Sequence, residues 1–471
     1  MLLIPTAARV TPSTRYWSWL ALVLVTIKLA SVLADPTQRF FLGDSESYLH
    51  SALTGWIPPD RSFLYGLFIR FSAVASGDLI GLLVAQSLCG VITALLCARI
   101  VCIDLGADRR GAALIACLLA IEPAQLFYER MVMAESLGTL CFIVMLSCGL
   151  AYLRRGAWPW LIAVALAGIA TVALRMSLLP VVLGFALLPP LAAALEHGAR
   201  RSWSRTGLHL LIALVATGLV HTAYQRLYGH LSEGAPAYLQ SSGTFRLGLV
   251  APLVKPEHLQ QVGLAPQLLQ TVGPPLADPR TREAQLWLDD GLVAVLRRAA
   301  GADTESFARR ITAQALRDDP LGLLRLSLAT TRDYFVASET SPRMADDLGT
   351  RPLSDGTLAS LRERLHHDGS RAHELRNPAA VYFEQGGYWL IFCLFALAPL
   401  ALLALLRLWN RRRAAAALLT LTALGLVAGQ LLFSHIVSFR YLHPFPPLLL
   451  ICAAAALVPQ ARRRSTLDAL A

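Results

Sequence analysis

Long apolar runs, separated by short polar stretches, occupy most of this chain. An α-helix needs about 20 consecutive apolar residues to cross the hydrocarbon core of a bilayer. The runs have this length, so we predict about ten membrane-spanning helices and an all-α, polytopic membrane fold. The ten runs are 17–34, 79–101, 111–127, 132–152, 158–174, 177–195, 207–227, 386–407, 413–433 and 443–459.

The composition also indicates a membrane protein. Of the 471 residues, 55% are hydrophobic and 15% are charged, whereas soluble domains carry about 25% charged residues. The first run could be mistaken for a signal peptide. However, Trp17–Leu33 is longer than a usual signal core, and the ADPTQRF sequence that follows is a poor cleavage site. We expect this helix to be retained, and we expect no separate soluble domain after the last run.

The formal charge of +11 is unevenly distributed. Residues 229–385 hold 17 Lys/Arg and 19 Asp/Glu, and the remainder holds 25 and 12. Basic clusters between the runs indicate cytoplasmic loops. With both termini cytoplasmic, every cluster falls on that side, which predicts a multi-pass membrane protein. Nucleic-acid binding explains the positions of these charges less well. The clusters are Arg99/Arg109/Arg110, Arg154/Arg155, Arg200/Arg201/Arg205, Arg407/Arg411/Arg412/Arg413 and Arg462/Arg463/Arg464.

The hydrophilic segment 229–385 divides the chain into three parts. We predict an N-terminal transmembrane module, 1–228, then a mostly helical extracytoplasmic insertion, 229–385, and C-terminal transmembrane helices, 386–471. The insertion begins with many Pro and Gly residues and continues with apolar residues at three- and four-residue spacing, which is typical of amphipathic helices. No residue within it can be assigned a role in acceptor choice.

An acidic loop, 35–78, follows the first run and lies on the predicted non-cytoplasmic side. Tyr48 to Trp56 shows helical apolar spacing, which indicates a segment at the membrane interface. Asp44 lies at the start of that segment, where helix amides favour an anion, so it is either a helix cap or a functional carboxylate. Glu46 points away from Asp44 on an ideal helix and ranks second.

Further charged residues lie at the same predicted membrane face. Glu122, Glu129, Arg130 and Glu135 fall in IEPAQLFYERMVMAESLG. Ionisable groups near membrane depth are costly and therefore candidates for function, although pairs such as Glu129–Arg130 could simply align helices. Lys28, in the first run, is interpreted as a residue that reaches to the headgroups.

Four arginines flank this region: Arg61, Arg70, Arg175 and Arg440. Guanidinium groups bind phosphate oxygens bidentately, so the set suits a lipid phosphate held at the membrane surface. The alternative for each arginine is a contact with lipid headgroups.

These landmarks resemble those of the GT-C superfamily of membrane glycosyltransferases. GDSESYLHSA, DRSFLYGLF, ERMVMAESL, an arginine after the fifth helix and FRYLHPFPPLL occur in the family's order. The chain most resembles bacterial relatives of protein O-mannosyltransferases and lipid A aminoarabinose transferases, over 17–227 and 386–459. The resemblance implies transfer of one monosaccharide from a polyprenyl phosphate on the non-cytoplasmic face of the bacterial inner (plasma) membrane to a lipid, glycan or protein of the cell envelope. Because the acidic first loop faces several arginines, we expect the transfer to invert the anomeric centre.

The resemblance also implies roles for individual residues. Asp44 matches the acidic residue that acts as base or orients the acceptor, and Glu135 matches an acidic position at the fourth helix. Arg61 stands where the family has an RPPLYP-like stretch, although its prolines are absent here. The candidate catalytic residues are Asp44, Glu46 and Glu135, and the candidate phosphate-binding residues are Arg61, Arg130, Arg175, Arg440 and Tyr441.

The chemistry of these residue types fits such a transfer. A carboxylate can take the acceptor hydroxyl proton, and arginines can stabilise charge on a departing phosphate. No cofactor is required, but two carboxylates with a phosphate would also suit a divalent metal between Asp44 and Glu46. Family members commonly have adjacent Asp-Glu, and the intervening Ser45 makes a role for Glu46 less secure.

Two other classes of protein remain as alternatives. A lipid-linked sugar flippase or transporter could share the helices and buried charges, but here the charges gather at one face and no paired broken helices are evident. A polysaccharide ligase or polymerase would also use lipid-linked sugars, but the acidic first loop disfavours it.

Overall fold

A computed structural model describes residues 14–197, 203–374 and 376–458. Within these ranges the regular structure is helical and contains no β-strand, so the predicted all-α fold class is confirmed. A single parallel bridge joins Arg39 to Met131. The arginines at 200, 201 and 462–464, which supported the predicted topology, lie outside the described residues, as does the end of the last apolar run.

Eleven helices form the N-terminal part of the described chain. π-helical turns extend α3 through Arg70–Val74 and α4 through Ile100–Leu105. The helices are α1 (Thr14–Ala34), α2 (Leu42–Thr54), α3 (Leu64–Ile69), α4 (Ile80–Arg99), α5 (Arg109–Ala120), α6 (Pro123–Tyr128), α7 (Glu135–Arg155), α8 (Pro159–Leu174), α9 (Leu179–Phe185), α10 (Leu188–His197) and α11 (Trp203–Leu231).

Eight helices lie in segment 229–385, and four follow them. The part predicted to be amphipathic forms several short helices, because turns such as that before Gly322 interrupt it. The helices are α12 (Ser242–Leu249), α13 (Pro256–Gln261), α14 (Arg282–Trp287), α15 (Leu292–Ala300), α16 (Thr304–Asp318), α17 (Gly322–Asp333), α18 (Ala337–Asp347), α19 (Asp355–Leu365), α20 (Pro378–Trp409), α21 (Arg413–Phe433), α22 (Phe439–Leu442) and α23 (Phe445–Ala454).

Six helices of the described chain are long and apolar enough to cross a membrane. A seventh crossing results if the pair Met176–Phe185 and Leu188–Leu195, bent by 43°, is one span. The predicted count of about ten is therefore not confirmed. Two of the predicted runs form shorter helices, since α5 has 12 residues and α8 has 16. The run 386–407 lies within the continuous helix α20, of which Phe395–Trp409 is the part found among the shorter apolar helices.

The outer faces of the long helices expose large apolar side chains, as expected of surfaces in contact with lipid. Leu29 of α1 is 55% exposed and Leu219 of α11 is 67% exposed. The interior is a cluster of small and branched apolar residues shared by α4, α5, α7, α21 and α23. This bundle fixes the positions of the loops at its ends.

A second apolar cluster lies beneath the loop that carries Asp44. It combines Tyr48 and Leu49 of α2 with residues 131–134, with Tyr334 and Met344 of the insertion and with Phe439 and Leu442 of α22, among others. The α2 helix predicted within the first loop is present, but its apolar side packs against protein. The cluster therefore holds together three parts of the chain that are distant in sequence.

Candidate active site

A cavity of about 1130 Å³ opens between the N-terminal helices, the insertion and the turn before the last helix. Several of the predicted site residues line it. They are Asp44, Arg61, Glu135, Arg175, Arg440 and Tyr441. The cavity therefore gathers six of the eight candidate site residues into one place.

The Asp44 carboxylate lies in the first turn of α2 between two guanidiniums. Its Oδ1 is 3.0 Å from Arg61 Nη1, and its Oδ2 is 2.9 Å from Arg440 Nη1. Burial by itself would raise the pKa of Asp44, but the two arginines more than offset it and hold that pKa below its usual value. Asp44 is therefore ionised at neutral pH.

Arg61 is fixed from three sides. It pairs with Asp60 at 2.5 Å as well as with Asp44, and its guanidinium lies 5.1 Å from the centre of the Tyr48 ring. Burial disfavours the charged form, yet the neighbouring carboxylates Asp44 and Asp60 raise the pKa of Arg61. The arginine is thus a permanent cation with a defined orientation.

Arg440 bridges two of the candidate catalytic carboxylates, those of Asp44 and Glu135. Its Nε is 3.2 Å from Glu135 Oε1, while its Nη1 contacts Asp44. Glu135 is the first residue of α7, and Arg175 Nη1 lies 3.4 Å from the same Oε1. Glu135 Oε2 and Arg175 Nε are buried and make no hydrogen bond within the described part of the chain, so two polar atoms at the cavity wall remain to be satisfied.

Arg175 has an extended backbone conformation and lies between α8 and the following 3₁₀ turn. Its Nη2 donates to the carbonyl of Arg440 at 2.5 Å. Its aliphatic stem passes over Gly138 of α7, where an added Cβ would lie 2.8 Å from Arg175 Cγ. A residue without a side chain at position 138 therefore makes room for this arginine.

Tyr441 and Phe41 cover the Arg440 guanidinium. The Cζ atom of Arg440 is 5.7 Å from the Tyr441 ring centre and 4.9 Å from that of Phe41. Contacts of this kind between a cation and aromatic faces restrict the orientation of the guanidinium plane.

The structure does not bring Glu46 and Arg130 into this cluster. Glu46 Oε1 accepts a hydrogen bond from the amide of Ser354 at 2.6 Å, in agreement with the prediction that it points away from Asp44. Arg130 is buried, lies 3.6 Å from Asp35 and donates to the Ser31 and Asp35 carbonyls. These contacts suit residues that join segments of the fold.

The donor set for a divalent cation is likewise not assembled around Asp44. Its two oxygens face guanidiniums, and Glu46 is engaged elsewhere. Among the described residues, no group of three or more His, Cys, Asp or Glu side chains could hold a metal ion. Asp44 and Glu46 therefore do not converge on a shared position for a cation.

The interpretation of Lys28 as a residue that reaches to the headgroups is wrong. Its side chain is buried, its Nζ is 2.7 Å from Glu129 Oε1, and it also donates to the carbonyl of Ala120. Glu122 caps α6 by accepting from the amides of residues 124 and 125. The Lys28–Glu129 pair joins α1 to the end of α6, because a buried charge needs a partner.

Sequence reasoning missed the contribution of the insertion. Asp347 and Tyr334 lie at the ends of α18 and α17 and contact the turn that precedes Arg440. Asp60 was also missed as a partner of Arg61. The only signal for Asp60 was its position next to Arg61, and nothing in the spacing of α17 and α18 distinguishes Asp347 or Tyr334 from other residues.

Residues 60–224, about a third of the chain, match the family model described as dolichyl-phosphate-mannose-protein mannosyltransferase. No curated protein matches the chain at a significant level.

Two solved structures are similar over most of this chain. One is the archaeal oligosaccharyltransferase AglB from Archaeoglobus fulgidus in complex with an inhibitory peptide and a dolichol-phosphate: 13% identity, TM-score 0.45, 94% of this chain covered. The chain spans 50% of that protein. The other is ArnT from Cupriavidus metallidurans bound to undecaprenyl phosphate: 13% identity, TM-score 0.36, 93% of this chain and 78% of that one covered.

The matched segment begins at Asp60, next to Arg61, and includes Glu135 and Arg175. It therefore contains much of the charged cluster described above. The match confirms the resemblance of this chain to the membrane glycosyltransferases of the GT-C superfamily.

Proposed function

We propose that the chain is an integral membrane glycosyltransferase that moves a monosaccharide from a polyprenyl phosphate to a hydroxyl of a cell-envelope acceptor on the non-cytoplasmic face. The observation that carries this proposal is the bridge from Arg440 to Asp44 and Glu135 within a large cavity. The matched family, which is named for dolichyl-phosphate-mannose, supports a polyprenyl-linked donor.

The donor phosphate is assigned to the three arginines that converge on the cavity. Arg61, Arg175 and Arg440 all line it, and each is held by a carboxylate or a carbonyl, so little side-chain freedom would be lost on binding. Guanidiniums pair bidentately with phosphate oxygens. The unpartnered Nε of Arg175 is a further donor available to such a ligand.

Asp44 is assigned to the acceptor hydroxyl. The hydroxyl oxygen attacks the anomeric carbon, the bond from that carbon to the phosphate oxygen breaks, and the hydroxyl proton passes to the Asp44 carboxylate. The polyprenyl phosphate leaves with the bonding electron pair, and the arginines stabilise its added charge. A single displacement of this kind inverts the anomeric centre.

The pairing of Asp44 with two arginines has a consequence for this step. A carboxylate whose pKa is lowered by neighbouring cations is a weak base. A donor phosphate that shares Arg61 and Arg440 would reduce their hold on Asp44 and raise its basicity. Proton abstraction would then be favoured only when the donor is in place.

The insertion is assigned to the acceptor side of the cavity. Arg246, Arg297 and Trp287 of the insertion line it, and all three are exposed to it or to solvent. Cavity-lining residues that lie outside the charged cluster are suited to contact whatever brings the hydroxyl. The acceptor would be a lipid, a glycan or a protein.

The test is sugar transfer by the purified protein. Wild type and Asp44→Asn would be compared with a panel of polyprenyl-phosphate monosaccharides and membrane extract as acceptor, with the exposed-site variant Asp355→Asn as control. Transfer that depends on Asp44 and not on Asp355 supports the proposal. A folded Asp44→Asn enzyme with full activity would contradict the base assignment, and donor binding without any transfer would favour a flippase.

A further inference from the structure

The turn that precedes Arg440 is held by two side chains of the insertion. Asp347, the last residue of α18, accepts a hydrogen bond from Ser438 Oγ at 2.8 Å and another from the Phe439 amide at 2.7 Å. Tyr334 donates its hydroxyl to the Ser438 carbonyl at 2.8 Å and accepts from the Ser438 amide at 3.1 Å. Four hydrogen bonds therefore hold residues 438 and 439, and three of them are to backbone atoms.

These bonds lie in the interior of the protein. Asp347 and Ser438 are each 2% exposed, and Tyr334 is 4% exposed. Gln430 of α21 donates to the Tyr334 hydroxyl at 3.1 Å, so this group is itself held by the helix bundle. Buried hydrogen bonds are costly to leave unmade, which makes this arrangement stiff.

The helix that carries Arg440 cannot fix its own position. Helix α22 has four residues, Phe439–Leu442, and a single turn is not stable by itself. Its N-cap residue, Ser438, makes no side-chain cap bond to it, and the Ser438 hydroxyl donates to Asp347. The orientation of this turn is therefore set by its tertiary contacts.

We propose that Asp347 and Tyr334 are positioning residues through which the insertion holds Arg440 in place to bind the donor phosphate. This inference rests on the proposed function, because it assigns Arg440 to the phosphate. The insertion then has two roles: it lines the cavity and it sets the geometry of an arginine supplied by the last membrane segment.

The experiment uses the full-length protein and undecaprenyl phosphate as the probe. Asp347→Asn and Tyr334→Phe are each expected to weaken probe binding about tenfold, the effect of losing one or two hydrogen bonds to a buried group. They should raise the donor KM and leave the acceptor KM unchanged. Hydrogen exchange of the amides in 436–442 should accelerate. Asp346→Asn is the matched control, because the neighbouring Asp346 pairs with Arg343 and Arg351 instead.

The variants are also made in an Arg440→Gln background. If Asp347 acts through Arg440, Asp347→Asn should cause no further loss of probe binding there, whereas a general weakening of the fold would add to the effect. Where Asp347→Asn does not fold, Ser438→Ala removes only one of the four bonds and takes its place.

The outcomes separate the two proposals. Normal probe binding by Arg440→Gln would overturn both the phosphate assignment and this inference. Weak binding by Arg440→Gln together with normal binding by Asp347→Asn and Tyr334→Phe would overturn the inference alone. Additive losses in the double variants would overturn it as well.

Discussion

Arg440 Nη1 lies 2.9 Å from Asp44 Oδ2, although the two residues are 396 positions apart in the chain. This pair joins the first loop to the last membrane segment. Both side chains are about one fifth exposed, at 21% and 22%, and both line the cavity. The contact places a carboxylate beside a cation at the point where a substrate could reach both.

Replacement of Asp44 by Asn should abolish most sugar transfer. The amide is almost the same size but cannot accept the hydroxyl proton, and general-base catalysis contributes typically about 10²- to 10⁴-fold. A loss of at least about 10²-fold in kcat, with the donor KM changed much less, is the expected result. Steady-state kinetics with purified protein measure both constants. A higher KM with an unchanged kcat would instead indicate that Asp44 only binds substrate.

Replacement of Arg440 by Ala should impair use of the donor more than folding. The guanidinium is bound to Asp44 and Glu135, and its removal leaves the arginine cluster one cation short. We expect the donor KM to rise about tenfold or more, since hydrogen bonds to charged groups contribute about 1.5–3 kcal/mol. Thermal unfolding of the same samples provides the control. An unchanged donor KM with a normal melting profile would contradict the phosphate role.

The pH dependence of stability should report on Asp44. Its pKa is lower in the folded protein than in the unfolded chain, where it is about 3.9. The stabilisation is therefore present above about pH 4 and is lost as the pH falls through the lower, folded value. As the pH falls below about 4, the melting temperature of wild type should fall more steeply than that of Asp44→Asn. Parallel curves for the two proteins would refute this.

Gly138→Ala should disturb the site through Arg175. The added methyl carbon would lie 2.8 Å from Arg175 Cγ, so the arginine would have to move away from Glu135 and from the Arg440 carbonyl. Gly149→Ala on the same helix is the matched control, because its methyl carbon would meet Phe185 at 2.9 Å, in the bundle core. We expect both variants to lose stability and only Gly138→Ala to lose donor affinity. Equal losses of donor affinity in the two variants would contradict a specific effect of Gly138→Ala through Arg175.

Breaking the buried Lys28–Glu129 pair should destabilise the protein. The two groups are 2.7 Å apart with side chains 4% and 0% exposed, so removal of one leaves the other charged and buried. Lys28→Met should lower the free energy of unfolding by about 3 kcal/mol or more, and the double variant Lys28→Met/Glu129→Gln should recover part of that loss. Unfolding in detergent measures the free energy of unfolding of both variants. A double variant less stable than Lys28→Met would contradict this explanation.

The candidate site could be predicted in part from the sequence. Asp44 stood out by its position at the start of a helix in an acidic loop, and Arg175 and Arg440 stood out as cations next to apolar runs. Arg130 was equally conspicuous, yet it lies 3.6 Å from Asp35 in a buried contact that joins segments of the fold. The position of a charge along the chain indicates its depth in a membrane, but it does not indicate which neighbour it will meet.

The amino-acid sequence by itself determined the all-α membrane fold and the resemblance to the GT-C superfamily, because hydrophobic periodicity and the order of short motifs are properties of the chain. Only the tertiary structure decided that Glu46 faces Ser354, that Lys28 pairs with Glu129, and that Asp347 holds the turn before Arg440. These contacts join segments tens to hundreds of residues apart. They depend on how the helices pack, and local sequence patterns carry no record of that packing.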